Sequence, residues 1–266
     1  MLEADLRMAG YLGLAQPVDR VTANPWLEFP DKCGGLSWIV DIGRFIDGAN
    51  SGYLAQTNCA ALSGGAQAGT DVLVVRRASA RSMPLPDTRV DAATRDSILV
   101  VSRVGAGEVF LPRTLGDVIP VGYEVGFPAT ETPRTELQSL LVHAYYVSID
   151  SSVARGFPAL RRKTLTGGPS IGDEEVAPGV EDLQVRVGMD TDGDEAVDIF
   201  VNPGEWPDGA SPISVQLWLR VRSLERDAAL GEIPATSYAD RSWPALHDAY
   251  GRVLVTRTIR LMNSGR

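Results

Sequence analysis

The residues with the clearest capacity for chemistry form one acidic segment, residues 190–198 (DTDGDEAVD). Its aspartates Asp190, Asp192, Asp194 and Asp198 stand at positions 1, 3, 5 and 9 of a loop. Calcium binds about six to eight oxygen atoms in a permissive geometry, so carboxylates at alternate positions can surround one ion. The spacing therefore predicts a calcium site formed by these four residues.

The segment also departs from the EF-hand type of calcium loop. Glu195 stands where that loop has an invariant glycine, and Val201 stands where it has a bidentate glutamate. Aspartate and glycine are common turn residues, so an acidic hairpin turn without metal is the alternative interpretation. A cation would relieve the repulsion among four carboxylates, and we expect weak binding, with a Kd of about 10⁻⁴ to 10⁻³ M.

The two cysteines, Cys33 and Cys59, lie in a segment rich in Gly, Asn and Ser. A pair so far apart, without His or further Cys at ligand spacing, is poor evidence for zinc. In an oxidising compartment the pair would close a long loop and stabilise the fold by about 3 kcal/mol. A Cys33–Cys59 disulfide is predicted, with two unpaired thiols as the alternative.

Catalytic motifs are absent from the sequence. Neither His143 nor His247 has a Ser or Cys nucleophile motif nearby, and no G-x-S-x-G, H-E-x-x-H or Walker A motif occurs. The formal net charge of -9 disfavours nucleic-acid binding, because that affinity comes mainly from Lys and Arg. The sequence predicts a protein that is not an enzyme and has no nucleic-acid partner.

The elements that would position these residues are mainly strands. Period-two or apolar patterns predict strands at residues 72–78, 97–104, 140–149, 183–189, 197–201, 213–222 and 253–261, with Gly- and Pro-rich connections at 111–135 and 164–178. The clearest alternation, at 213–222, predicts an antiparallel sheet with one buried and one wet face.

The chain is predicted to begin with the end of a helix. Leu2, Leu6 and Ala9 share one helical face, and Gly10 and Gly13 end it. A helix of about ten residues is marginal alone in water, so we expect residues 1–13 to be the end of a longer helix.

The predicted organisation is a single domain of class α+β. The helix end (1–13) packs on mainly antiparallel sheets, an irregular region (14–69) holds both cysteines, and a β-rich head spans 70–266. No stretch reaches the roughly 18 apolar residues that cross a bilayer, so this polypeptide is expected to be soluble.

Six blocks of the sequence, here called the PilW-like blocks, resemble the PilW family of type IV pilus minor pilins. They are residues 5–11 (DLRMAGY), 69–78 (GTDVLVVRRA), 145–147 (YYV), 158–162 (PALRR), 176–185 (VAPGVEDLQV) and 258–263 (TIRLMN). The first is similar to the end of the family's spine helix, and the fifth is followed at once by the acidic segment. The blocks occur in the family's order.

This resemblance implies a pilin-like head and a minor pilin's function. Such a protein is processed by prepilin peptidase and anchored in the inner membrane by an apolar helix, expected ahead of residue 1, with its head in the periplasm and then in the pilus. It joins other minor pilins in a complex that primes pilus assembly at or near the tip, and it catalyses nothing.

Two alternative functions remain open from the sequence. The chain is similar, more distantly, to the J-type minor pseudopilin of type II secretion. The acidic segment would also suit a secreted calcium-dependent adhesive or carbohydrate-binding module.

Overall fold

The computed structural model describes residues 1–15, 20–25, 27, 37–53, 61, 64–85, 89–92, 94–123, 134–168 and 170–264. Within these residues, strands dominate and form three sheets. The elements are α1 (Leu2–Arg7), β1 (Val21–Ala23), α2 (Ser37–Val40), β2 (Ile46–Ala49), β3 (Val72–Ala78), β4 (Leu99–Arg103), β5 (Ala106–Phe110), β6 (Thr135–Ser148), β7 (Ala159–Thr166), β8 (Ser170–Pro178), β9 (Val180–Asp190), β10 (Ile199–Val201), β11 (Ser211–Arg222), β12 (Thr236–Tyr238), β13 (Arg241–Trp243) and β14 (Arg252–Arg260).

The predicted α+β class is wrong, because the described helices form no layer of the fold. The helices α1 and α2 have six and four residues, which is less than two turns each. Gly10 and Gly13 follow α1 with φ angles of 75° and 73°, outside the helical region. The layers are sheets, so the fold is mainly β. In the described part of the chain, no helix has the length and apolar character needed to cross a membrane.

The first sheet has eight strands arranged around β6. Its order is β1-β5-β4-β6-β3-β2, with β7 paired to β6 and β8 paired to β7. The fourteen-residue β6 pairs with β4 over 135–139, with β3 over 140–145 and with β7 over 143–148. One long strand therefore aligns three others.

Strand β3 is buried on both faces, which explains its continuous apolar run. Val72 and Val74 pack against the segment that contains α2, in a first core. Leu73 and Val75 point the other way, into a second core between the two large sheets. A strand covered on both sides has no wet face, so it lacks polar alternation.

The second sheet has the antiparallel order β10-β9-β11-β14, and its inner face borders the second core. A small hairpin of β12 and β13 covers part of its outer face. There, the Arg220 guanidinium lies 3.9 Å from the centre of the Trp243 ring, and Arg220 is buried. The predicted wet face of β11 is therefore wrong at Arg220.

The sequence missed the hairpin of β7 and β8. Residues 164–178, predicted as a connection, contain the whole of β8. Asp173 on β8 forms ion pairs with Arg161 and Lys163 on β7, at 2.7 and 2.8 Å. Cross-strand charge pairs stabilise the pairing of β7 with β8. Strand β8 therefore lacks the alternation of apolar and polar residues by which strands are predicted from sequence.

Gly48 of β2 lies where backbone and side chains approach closely. A Cβ there would lie 2.0 Å from the Val72 carbonyl oxygen and 2.9 Å from Pro203 Cβ. Gly48→Ala should lower the free energy of unfolding by about 2 kcal/mol, because backbone must move. In the control Gly43→Ala, the nearest atom is Asp41 Oδ1 at 3.9 Å. Denaturant unfolding compares the variants, and equal stabilities would contradict the predicted overlap.

Candidate functional site

The carboxylate of Asp5 is the centre of a buried polar cluster beneath α1. Asp5 is only 3% exposed. Arg77 donates to Oδ1 from Nε at 3.1 Å and from Nη2 at 2.7 Å. On the other oxygen, Oδ2, the Tyr145 hydroxyl donates a hydrogen bond and His143 Nδ1 lies at 2.7 Å. Arg162 Nη1 is 3.8 Å away. These five residues are called the Asp5 cluster.

The Asp5 cluster joins elements that are far apart in the sequence. Asp5 comes from α1 and Arg77 from β3, whereas His143 and Tyr145 come from β6 and Arg162 from β7. Alternate residues of a strand point to one face, so His143 and Tyr145 face α1 together. Because β3, β6 and β7 are neighbours in the first sheet, one carboxylate attaches α1 to three adjacent strands.

The partners of Asp5 keep it ionised. Burial by itself would raise the pKa of Asp5, but hydrogen bonds from His143, Tyr145 and Arg77, together with the charge interaction with His143, outweigh burial and hold that pKa well below its usual range. Burial and the neighbouring carboxylate also raise the pKa of the Tyr145 hydroxyl, so this group stays a donor. An ionised carboxylate accepts only, which requires the proton of His143 to be on Nδ1.

Apolar and backbone contacts complete the attachment of the first residues. Leu6 and Ala9 are fully buried in the second core. Gly10 N–H donates to the Arg76 carbonyl at 3.1 Å. The side-chain amide of Asn263, which follows β14, donates to the Ala9 carbonyl at 3.2 Å. The start of the chain is therefore bound both to the first sheet and to the segment near the carboxyl end.

The acidic segment folds as a loop between β9 and β10 that closes around Asp190. The buried Asp190 carboxylate accepts hydrogen bonds from the N–H groups of Gly193 at 2.6 Å and Glu195 at 3.1 Å. Gly193 and Glu195 both have positive φ angles, 86° and 64°, which turn these N–H groups inward. The Gly193 bond, supported by the others, holds the pKa of Asp190 below its usual range.

The structure brings together three of the four predicted calcium ligands. One carboxylate oxygen from each of Asp190, Asp192 and Asp194 lies within 4.8 Å of the others, about twice a calcium–oxygen distance of ~2.4 Å. Asp198 instead accepts hydrogen bonds from the N–H and the hydroxyl of Thr191, both at 2.7 Å. This arrangement suits a metal-free turn as well as a calcium loop, so calcium stays a prediction.

The remaining residues singled out from the sequence do not join this loop. Cys33 and Cys59 lie outside the described residues, and their disulfide stays a prediction. His143 belongs to the Asp5 cluster. His247 is exposed, with Nε2 3.4 Å from a carboxylate oxygen of Glu232.

Sequence reasoning missed the Asp5 cluster, although the PilW-like blocks contain four of its residues: Asp5, Arg77, Tyr145 and Arg162. One signal was available in α1. Asp5 is three residues after Leu2 and four before Ala9, so it lies on the apolar face of the helix. A carboxylate on a buried face requires donors around it, but the sequence does not say which strands supply them.

Fold and site together define a mainly β protein in which a buried carboxylate attaches the short helix α1 to a sheet. Residues 144–263 match the model of the PilW family, described as type IV pilus-assembly protein W. This match bears out the resemblance to the PilW family predicted from the sequence and supports involvement in type IV pilus assembly. Comparisons with curated proteins and with solved structures give no significant match.

The stability of the protein should depend on the charge of Asp5. Asp5→Asn should lower the free energy of unfolding by about 3 kcal/mol, because it removes the buried anion that the partly buried Arg77 guanidinium binds. Glu3→Gln on the same helix is the control, since it removes only an exposed pair with Arg7 and should cost about 0.5 kcal/mol or less. Denaturant unfolding at neutral pH measures both, and equal losses would contradict the role of the cluster.

The contribution of Asp5 should also depend on pH. The pKa of Asp5 is lower in the folded protein than in the unfolded chain, so its stabilisation is complete above the unfolded pKa of about 4 and is lost as the pH falls further. The stability difference between the natural protein and Asp5→Asn should be constant near neutral pH and shrink below about pH 4. A difference that persists undiminished in strong acid would refute a charge effect.

Calcium binding has a sharp test in the acidic loop. Calcium at ten times a millimolar Kd should add about 1.4 kcal/mol and raise the Tm by a few degrees. Asp192→Asn with Asp194→Asn should abolish the rise, because two charges are removed while the side-chain oxygens still accept the N–H groups of Asp194 and Ala196. Asp208→Asn is the control. Titration calorimetry without heat, and an unchanged Tm, would remove calcium from this loop.

Proposed function

We propose that this protein is a non-enzymatic minor pilin that takes part in type IV pilus assembly by binding other minor pilins. The observation that carries the proposal is the Asp5 cluster. Tyr145 and Arg162 lie within the PilW-matched residues 144–263, whereas Asp5 and Arg77 lie before them. One buried carboxylate therefore connects the family-matched part of the chain with its first helix.

The attachment of α1 to the sheets suits a subunit whose helix packs inside a filament while its head contacts neighbouring subunits. Arg77 and Tyr145 bind Asp5 from two different strands, and Leu6 is buried beside them. Several independent contacts on less than two turns of helix fix its direction relative to the sheets. We propose that an anchor helix continuous with α1 would thereby set the orientation of the head.

The contacts of His143 support a structural role in preference to a catalytic one. His143 is 7% exposed, and its ring packs edge-on against Tyr145 with centroids 6.3 Å apart. The Asp5 oxygen that it contacts is also bound by the Tyr145 hydroxyl. A buried histidine and carboxylate with these partners hold elements together and have little access to a substrate.

The proposed location follows the proposed role. The protein would be held in the inner membrane with its head in the periplasm, and would then enter the pilus at or near its tip. Its partners would be other minor pilins, and its negative net charge of -9 argues against a nucleic-acid partner.

Gene deletion in the source bacterium tests the proposal. Deletion should strongly reduce the number of surface pili, because the complex that primes assembly would lack a subunit. The natural gene and Glu3→Gln should restore pili, whereas Asp5→Asn should not, with expression adjusted to equal protein amounts. Electron microscopy counts the pili.

Two outcomes would contradict the proposal. Normal pilus numbers after deletion would rule out a role in assembly. Loss of protein secretion with normal pili would instead favour the type II secretion alternative. Co-purification of the natural protein with minor pilins from the same gene cluster tests the proposed partners directly.

A further inference from the structure

Strand β14 leaves one edge of the second sheet open. It pairs with β11 through nine consecutive residue pairs without a register shift. Among the described residues, no strand pairs with its other edge. A long, regular edge presents a row of backbone donors and acceptors to which another strand can bind.

The ladder shows which backbone groups face outward. Leu261 N–H donates to the Ile213 carbonyl at 2.9 Å. The backbone N–H and C=O groups of the odd-numbered residues of β14 therefore point toward β11. Backbone groups alternate in direction along an antiparallel strand, so those of Leu254, Thr256 and Thr258 face away from β11. Within the described part of the chain, none of these three N–H groups has a hydrogen-bond acceptor.

The side chains of β14 define the chemistry of a strand that would bind there. Val253 and Leu254 are 63% and 38% exposed, although they are large and apolar. Arg257 and Arg260 are exposed as well, and Arg260 Nη2 lies 3.7 Å from a Glu195 carboxylate oxygen in an exposed ion pair. The Arg252 guanidinium donates to Glu181 at 2.9 Å. The nine residues of β14 include no carboxylate. The edge therefore offers apolar contacts at one end and positive charge at the other.

A second copy of β14 is a poor partner for this edge. A two-fold antiparallel pair centred on Thr256 would place Val255 opposite Arg257 and Arg252 opposite Arg260. A second copy of β14 therefore offers no carboxylate to either exposed arginine, and opposite charges are the pairs that stabilise neighbouring strands. Charged edge residues also protect sheets against association with copies of themselves. The arginines thus disfavour self-pairing and favour an acidic strand.

We propose that the free edge of β14 binds an extended, acidic strand of a neighbouring pilus subunit. In antiparallel register, that strand carries carboxylates opposite Arg257 and Arg260 and apolar side chains opposite Val253 and Val255. Main-chain hydrogen bonds supply affinity in such strand addition, and alternate side chains supply specificity. That the partner is a pilus subunit rests on the proposed function, whereas the chemistry of the edge does not.

A synthetic peptide tests this edge on the purified full chain. The probe is a capped nine-residue peptide with Glu opposite Arg257 and Arg260, Val opposite Val253 and Val255, and Thr elsewhere. At about 1 mM, a concentration that reveals weak binding, it should shift the amide resonances of Leu254, Thr256 and Thr258 and slow their hydrogen exchange. No shift at these amides overturns the proposal.

Two control peptides separate strand pairing from charge attraction. The first has N-methyl groups on the amides that face β14, so it keeps the side chains but cannot form the ladder. The second has Lys in place of both Glu residues. Neither should bind, and binding of the N-methylated peptide as tight as that of the probe would overturn strand addition.

Protein variants provide the matching controls. Thr256→Pro removes an N–H that faces away from β11, where an edge strand tolerates proline, and should weaken probe binding by at least about tenfold. Thr256→Ala keeps the N–H and should bind as the natural protein does. If Thr256→Pro does not fold, the double variant Arg257→Glu with Arg260→Glu replaces it. This variant should no longer bind the Glu peptide and should bind the Lys peptide. An unchanged preference overturns the proposal.

The peptide measurements need no pilus and no second subunit. Absent peptide binding, combined with pili lost on gene deletion and restored by the natural gene, would refute the edge while leaving the proposed function intact. Peptide binding with normal pili after deletion would refute the pilus role and leave the edge as a strand-binding surface.

Discussion

A carboxylate removed from water has to be surrounded by donors, and Asp5 imposes this constraint on the rest of the structure. Leaving a charge buried without partners costs several kcal/mol, more than most single contacts contribute. Arg77 and Tyr145 meet this requirement only when β3 and β6 lie side by side in one particular register. A slip of β6 by one residue would place Tyr145 on the face of the sheet opposite to Arg77. The polar cluster therefore specifies an arrangement as well as stabilising it.

The arrangement of the strands extends this constraint from Asp5 to most of the first sheet. Strand β6 pairs with β3, β4 and β7, so fixing its register also fixes theirs. The second core then places the inner face of the other large sheet against the same strands, with Val185 and Val215 beside Leu73. A single helix residue is in this way coupled, through β6, to most of the first sheet.

Sequence patterns predicted several of the strands that are buried on one or both faces, among them β3, β9 and β11, but they missed the buried strands β2, β5 and β7. Residues 72–78 were predicted as a strand and form β3 with the same bounds, because a run of Val and Leu has few other stable conformations in a β-rich chain. The class was predicted wrongly, because the helical pattern of the first residues extends over only the six residues of α1. The β7–β8 hairpin was missed because charge pairs such as Arg161–Asp173 take the place of apolar alternation.

The acidic loop and the Asp5 cluster show why sites differ in how well they can be predicted. The loop is local, so the spacing of Asp190, Asp192 and Asp194 alone indicated that their carboxylates would converge. Asp198 does not join this group, because its carboxylate accepts a hydrogen bond from Thr191 in the same loop. Asp5 and Tyr145 are separated by 140 residues. No short-range pattern brings them together, and only the pairing of strands does so.

The bond between Asn263 and the Ala9 carbonyl has a mechanical consequence. This hydrogen bond joins the segment after α1 to the segment after β14, so tension applied at the start of the chain reaches the region of β14 directly. The force on α1 is then divided between the two large sheets. Pulling α1 away would require its contacts to the first sheet and the Asn263 bond next to β14 to break together.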